Sequence, residues 1–375
     1  MRKIRLYAPG PTEVPPQALL AMAQPILHHR TPQFQAILAE VAEGLGYLFQ
    51  TKSPVITLAG VSTAAMEASV SNFLSPGDTA ICIRGGKFGE RWAEICTAYG
   101  VKSVNIDPEW GSAASPEDLE KALKANPDAK AVYATLVETS TGVLSDIEAF
   151  GRIVAKTDAI LVVDAVSSIG AVELLTDTWN VDVVAAGSQK AVMLPPGLGF
   201  ASVSDKAWAL TKSARCPRYY LDLAKAHKSM EKNSTPFTAP VSLIIGLRET
   251  LAMVREEGME ALLARHRKLA EACRAGVEAM GLTVFSKAPA PNLTAVSVPD
   301  GIDGDKFVKT LRDEYSLTIA GGQAQLKGKI FRISHMGYAD QIDVLTVLGA
   351  VELVLSKMGY KGSGGASAAA KVLAG

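Results

Sequence analysis

The stretch Val183-Val184-Ala185-Ala186-Gly187-Ser188-Gln189-Lys190-Ala191-Val192-Met193-Leu194 decides how this chain is read. A lysine inside so much apolar sequence has three options. It snorkels to water, it finds a charge partner, or it gives up its proton, because burial lowers an ammonium pKa and leaves a nucleophilic amine. Upstream, Leu161-Val162-Val163-Asp164-Ala165-Val166 sets a carboxylate at the end of a second apolar run. The two runs predict successive strands joined by a short helical crossover, with Asp164 and Lys190 at the strand ends.

The same alternation extends outward. Runs rich in β-branched residues at 54–58, 79–83, 103–106, 131–136, 160–164, 181–185 and 199–203 alternate with amphipathic stretches at 64–74, 90–99, 116–125 and 147–156. This predicts an α/β fold, a mostly parallel seven-stranded sheet with helices on both faces. Ligands of such sheets bind beyond the carboxyl ends of the strands. After residue 207 the pattern changes. A loop at 212–240 precedes long helices at 241–257 and 259–280, then strands near 295–298 and 331–334 with helices at 304–314 and 339–357. The expected organisation is an N-terminal segment (1–15) near the site, a large domain (16–257), a smaller C-terminal α/β domain (258–360) and a poorly ordered low-complexity tail (361–375).

A chain of 375 residues suits two domains. Its 38 basic and 38 acidic side chains cancel, which argues against nucleic acid or an anionic membrane as the main partner. The opening MRKIRLYAPGPTEVPPQ lacks an apolar signal core, and no apolar run reaches the roughly 18 residues of a membrane span, so a cytoplasmic location is expected. Cys82, Cys96, Cys216 and Cys273 are scattered, with no CxxC pair, and read as thiols of a reducing compartment. His227, His266 and His335 show no ligand spacing, and no metal is expected. His28 and His29 are adjacent, so their side chains should diverge; His29-Arg30 reads as near a substrate mouth or a dimer seam.

An acid and a lysine at the ends of successive strands form the arrangement that pyridoxal 5'-phosphate chemistry requires. The lysine makes an imine with the cofactor aldehyde, and the acid keeps the pyridine nitrogen protonated. The plainer alternatives are a surface lysine and an aspartate that caps a helix. Gly60-Val61-Ser62-Thr63-Ala64-Ala65 ends a strand and opens a helix, where free N–H groups and the dipole favour an anion; Ser62 or Thr63 as an ordinary N-cap is the alternative. Arg332, in Ile330-Phe331-Arg332-Ile333, lies in an apolar strand, so its guanidinium must find an anion. The α-carboxylate of an amino acid or 2-oxo acid suits its fork, and a structural salt bridge is the alternative.

Several motifs, in order and over nearly the whole chain, carry a resemblance. They are Pro9-Gly10-Pro11-Thr12, His29-Arg30-Thr31-Pro32, Ser75-Pro76-Gly77-Asp78, Glu138-Thr139-Ser140-Thr141-Gly142, Asp164-Ala165-Val166-Ser167-Ser168, Gly187-Ser188-Gln189-Lys190-Ala191 and Phe331-Arg332-Ile333-Ser334-His335-Met336-Gly337. Together they resemble the fold-type-I pyridoxal phosphate enzymes of the class V aminotransferase family, and within it the alanine–glyoxylate, serine–glyoxylate and serine–pyruvate aminotransferases. The resemblance implies Lys190 as the Schiff-base lysine and Asp164 as the partner of the ring nitrogen. Val166 would pack on one ring face and Phe88, set between Gly86 and Gly89, on the other; Phe88 as a core residue is the alternative. Thr139 would lie near the ring, and Ser62, Thr63 and Gln189 would bind the phosphate. Thr235 and Thr238 would reach the neighbouring subunit's phosphate, making a homodimer with shared sites. Gly10 and Arg332 would bind the substrate carboxylate, beside the loop Gly321-Gly322-Gln323.

The implied reaction is ping-pong transfer of an amino group from alanine or serine to glyoxylate or pyruvate. Two other readings compete. A cysteine desulfurase or lyase needs a mobile cysteine in a small-domain loop and usually a ring-stacking histidine, whereas Cys273 falls inside a helix and Phe88 takes the stacking place. A non-catalytic subunit accompanying a soluble hydrogenase has no need of Lys190, Asp164 and Arg332 together.

Overall fold

Seven strands form the central sheet, in the spatial order Val55–Ala59, Leu198–Val203, Val183–Gly187, Ile160–Asp164, Ala131–Thr135, Thr79–Ile83 and Lys102–Ile106. Leu198–Val203 runs antiparallel to both neighbours, and the other pairings are parallel. The computed structural model from which this is read describes residues 3–375.

Successive residues of a strand point to opposite faces, and this chain fills both. Ile81, Val132, Leu161, Val163 and Val184 face one core, with Phe49 and Phe200. Cys82, Tyr133, Val162, Val183 and Ala185 face the other, with Trp92 and Met66. That is why the inner strands read as near-continuous apolar runs rather than as polar–apolar alternation, while the edge strand Lys102–Ile106 exposes Lys102 and Asn105. Register aligns Thr135 with Asp164 and Asp164 with Ala185, so the polar residues that follow each strand converge at one edge.

A second, three-stranded antiparallel sheet pairs Leu293–Ser297 and Ala320–Gly321 with Ile330–Ser334. Phe331 and Ile333 pack into a separate core with the helices Met259–Ala279, Gly304–Tyr315 and Gln341–Lys357. Strand alternation therefore turns Arg332 to the opposite face. The N-terminal segment ties the two sheets together. Arg5–Leu6 pairs with Leu317–Thr318, the Tyr7 carbonyl accepts from Ser334 N–H at 2.7 Å, and Thr12 reaches the Lys190 segment.

Four expectations need correction. No helix joins Asp164 to Lys190: the crossover is a series of turns, with Gly170 at φ +80° interrupting any helical run. The 212–240 loop contains the helix Leu223–Met230, started by Asp222, whose side chain accepts from Lys225 N–H. The tail is ordered as the helix Gly365–Ala374. Its small residues permit a close approach to the Met259–Ala279 helix, where a Cβ on Gly276 would lie 2.7 Å from the Gly365 carbonyl. Glu352 holds its start by accepting from the Gly364 and Gly365 N–H groups. The rings of His28 and His29 do not diverge but lie 4.7 Å apart. Residues 16–49, left unassigned above, form the helices Pro16–Met22 and Pro32–Phe49.

Candidate active site

Beyond the carboxyl ends of the strands lies a cavity of about 310 Å³ lined by Gly10, Ser62, Thr63, Phe88, Thr139, Asp164, Val166, Gln189 and Lys190. Every sequence-predicted site residue is on that wall except Arg332, Thr235 and Thr238. Pro11, Val61, Arg91, Ser167 and Pro196 complete it.

Lys190 is half-buried at the cavity wall, and its ammonium donates to the Pro9 carbonyl. Thr12 fixes the lysine's backbone, donating from its hydroxyl to the Lys190 carbonyl at 2.7 Å and from its N–H to the Gln189 carbonyl at 3.1 Å. The φ of Gly10 is +130°, which favours glycine, and a Cβ there would fall 2.2 Å from Lys190 Nζ and push the lysine tip aside. Burial lowers the Lys190 pKa to about 8, and the Arg332 charge adds to that. Asp164 is shifted the other way. Burial raises it to about 7, against the pull of Arg91 and Lys190 and of the 2.8 Å hydrogen bond that its Oδ1 accepts from Val166 N–H. That bond, with no helix following, removes the capping alternative for Asp164. Two titratable groups pushed toward each other in one cavity are a mark of functional sites.

At the opposite end, the helix Ser62–Ser71 begins with Val61 at its N-cap and no side-chain cap, so neither Ser62 nor Thr63 serves as an ordinary cap. Ser62 Oγ instead accepts from Gln189 Nε2 at 3.0 Å. An uncapped helix start with hydroxyls in its first turn is an anion site in waiting.

Arg332 is buried and donates to two backbone carbonyls. Nη1 reaches Thr139 O at 2.9 Å, while Nε and Nη2 reach Gly321 O at 3.1 and 2.7 Å. Among the described residues no carboxylate lies within 4.0 Å of it, so the salt-bridge alternative fails. Burial brings its pKa down to about 10. The carbonyls orient the fork without neutralising it.

Thr235 and Thr238 lie away from the cavity of their own chain. Thr235 Oγ1 donates to Phe237 O at 2.7 Å, and Arg30 Nη1 donates to Ser234 Oγ and Thr235 O. Arg30 thus anchors the threonine loop. Residues the sequence reading does not single out are Arg91, whose guanidinium sits 5.0 Å from the Phe88 ring centre, Ser167, which accepts from the Thr139 hydroxyl at 2.8 Å, and Glu138, a buried carboxylate that accepts from the Phe88 and Gly89 N–H groups. Glu138 and Ser167 stand inside quoted motifs, and Arg91 lies two residues beyond Gly89. None of the four cysteines lines the cavity; Cys273 is buried in its helix, and burial raises its thiol to about 11. No helix among the described residues is long and apolar enough to cross a membrane, and no group of three or more His, Cys, Asp or Glu among them is placed to hold a metal.

A fold of this kind, with an amine and an acid at neighbouring strand ends, belongs to a known class. The model of the aminotransferase class-V family matches residues 6–347, and the chain belongs to that family. It is 42% identical to a protein of Synechococcus sp. named soluble hydrogenase, small subunit, over 99% of this chain and 98% of that one. It is 36% identical to the serine–glyoxylate aminotransferase of Methylorubrum extorquens, over 97% and 94%. The crystal structure of ureidoglycine–glyoxylate aminotransferase from Bacillus subtilis superposes with a TM-score of 0.95 at 32% identity, covering 100% of this chain and 99% of that one.

Proposed function

We propose that this aminotransferase uses pyridoxal 5'-phosphate to move the amino group of a small amino acid, alanine or serine, to a 2-oxo acid such as glyoxylate or pyruvate. The proposal includes a cytoplasmic homodimer with shared sites. The observation that carries it is the pairing of Lys190, lowered to about 8, with Asp164, raised to about 7, in one cavity.

The residues present fit that cofactor. Gln189 Oε1 is a buried acceptor without a partner. Turned over about its terminal bond, the same amide would accept from the Ser62 hydroxyl and free its NH₂ to donate to an anion. With Ser62, Thr63 and the uncapped helix start, that makes a donor set suited to a phosphate. Gly187 keeps the set close, since a Cβ there would lie 2.6 Å from Ser62 Cβ.

When bound, pyridoxal phosphate supplies an aldehyde that captures a primary amine and a ring that accepts electrons from the substrate α-carbon. The side chains do the rest. Lys190 Nζ takes the α-carbon proton as a base and returns a proton as an acid, which its lowered pKa suits. Asp164 supplies the negative charge that keeps a ring nitrogen protonated, and that cation would in turn restore Asp164 toward its ionised form. Phe88 and Val166 offer the faces, Arg332 grips the α-carboxylate, and Gly10 lets the backbone close over it. Thr235 and Thr238 would serve the neighbouring subunit.

The cavity favours this over the two rival readings. A desulfurase needs a reachable thiol, and Cys273 is buried away from the cavity. A scaffold accompanying a hydrogenase gains nothing from a half-buried amine opposite a buried acid. The test is spectroscopic. Protein loaded with pyridoxal phosphate should be yellow, bleach on addition of alanine or serine, and recover with glyoxylate or pyruvate. Lys190→Ala should fold yet neither turn over nor show this cycle. Wild-type protein that never bleaches with any short amino acid would refute the proposal.

A further inference from the structure

The helix Lys87–Ala98 carries Phe88 in its first turn, yet its N-cap, Gly86, has no side chain with which to cap it. Three first-turn N–H groups are satisfied instead by one turn about fifty residues away. Ser140 Oγ accepts from Lys87 N–H at 3.0 Å. Glu138 accepts from Phe88 N–H at 3.2 and 3.4 Å and from Gly89 N–H at 2.9 Å. The Glu138 carboxylate is itself held by the Ser140 N–H at 3.1 Å and the Ser140 hydroxyl at 2.5 Å. A Cβ on Gly86 would lie 2.3 Å from Ser140 Oγ and 2.6 Å from Glu138 Cδ, so a glycine is what lets the two segments meet. The carboxylate also faces the positive end of the helix dipole.

The residue between them has two further ties. The Thr139 carbonyl holds Arg332 Nη1, and the Thr139 hydroxyl donates to Ser167, three residues beyond Asp164. Glu138 is 3% exposed. A carboxyl buried so deeply is costly unless its hydrogen bonds compensate, and here those bonds run to the backbone that presents Phe88. Its charge is also felt by Asp164 and Arg332.

We propose that the turn Glu138-Thr139-Ser140 is the positioning hub of the site. Glu138 fixes the Phe88 ring through its helix, Thr139 fixes the Arg332 fork, and one turn thereby sets the distance between cofactor platform and substrate clamp. Glu138 is a positioning residue in this scheme and touches neither ligand. The scheme rests on the reading of Phe88 as platform and Arg332 as clamp given above.

The test uses Glu138→Gln, Glu138→Asp and Ser140→Ala, with Ser115→Ala as control, since Ser115 caps the distant helix Pro116–Ala125. In the protein without cofactor, amide exchange is measured at Phe88 and Gly89. Glu138→Gln should speed both by roughly ten-fold, the loss of one charge-assisted hydrogen bond, with exchange in Ile160–Asp164 unchanged. On titration of the same preparation, pyridoxal phosphate should bind more weakly, and once the protein is loaded the KM for amino acid should rise. Glu138→Asp should recover part of each effect, and the control should change none. Faster exchange with unchanged cofactor affinity and KM would reduce Glu138 to a plain helix cap and overturn the hub; so would unchanged exchange. If Glu138→Gln fails to fold, Ser140→Ala decides, because it removes the Lys87 bond and one support of Glu138 without burying a new group. Exchange is read without cofactor, so a failed hub is distinguishable from a failed functional reading, which would show in the wild type as no capture of pyridoxal phosphate.

Discussion

Replacing Arg332 by lysine keeps the charge and removes the fork. In the native structure three guanidinium N–H groups donate to two carbonyls, Thr139 O and Gly321 O, which pins the plane of the head group. The three donors of an ammonium radiate from one nitrogen, so it cannot offer a carboxylate two parallel bonds while also holding both carbonyls. Losing one charge-assisted bond to substrate is worth about 1.5–3 kcal/mol, or roughly ten- to more than a hundred-fold in affinity. A carbonyl left without a partner costs about 1–3 kcal/mol of stability in addition, so a lowered Tm is expected as well. The assay is therefore a comparison of constants rather than one rate. KM for the amino acid and for the 2-oxo acid should rise together, because both carry the α-carboxylate, while pyridoxal phosphate affinity changes little. Arg332→Met adds a check on the electrostatics. Arg332 helps to lower the Lys190 pKa, so its neutral replacement should let Lys190 rise, whereas Arg332→Lys should not. An unchanged KM in Arg332→Lys, or a cofactor affinity that falls as far as substrate affinity, would refute the clamp.

The rate at which cofactor-free protein captures pyridoxal phosphate should increase with pH through about 8, because only the neutral amine of Lys190 attacks; Asp164→Asn should lower that midpoint, since the carboxylate charge raises Lys190. Asp164 also ties stability to pH: raised to about 7 from 3.8, it makes the folded state bind more protons than the unfolded one in between. The stability of the cofactor-free protein should then fall as pH rises from about 4 to 7, and Asp164→Asn should flatten that slope in thermal melts while losing most activity. For the shared site, Lys190→Ala subunits mixed with Thr235→Ala/Thr238→Ala subunits should regain activity if the threonine loop acts across the interface, because one site of the hybrid then carries neither defect. No recovery after confirmed subunit exchange would refute the shared site.

What the sequence made legible follows from physics that is local. Strand ends could be read because the inner strands are buried on both faces and form apolar runs followed by a polar residue, as at Asp164; the edge strand Lys102–Ile106, with Lys102 and Asn105 exposed, departs from that pattern. Lys190 and Arg332 stood out as charges set in apolar surroundings. The same logic could have found the helix Pro32–Phe49, since Thr31-Pro32 is an N-cap followed by proline at the first helical position, and the Thr31 side chain accepts from Phe34 N–H. The tail misleads because a glycine- and alanine-rich composition reads as disorder. Those residues have little packing power alone, but their lack of bulk lets them lie against Gly276 and Met280, a property of the partner surface and not of the tail.

Glu138 was illegible for another reason. A capping residue is ordinarily sought just before the helix it caps, and Gly86 gives no sign there that its cap comes from a turn on a different strand. The available clue is of a different kind: an ionisable residue three positions beyond the buried strand Ala131–Thr135, after the apolar Leu136-Val137, where burial raises a carboxyl unless something holds it. Such breaches of the local pattern collect at functional sites, and this chain has four of them, Glu138, Asp164, Lys190 and Arg332. Two announce chemistry by type, one by its fork. The fourth speaks only once the helix it holds is in place, which is why long-range capping has to be read from structure while the reacting groups do not.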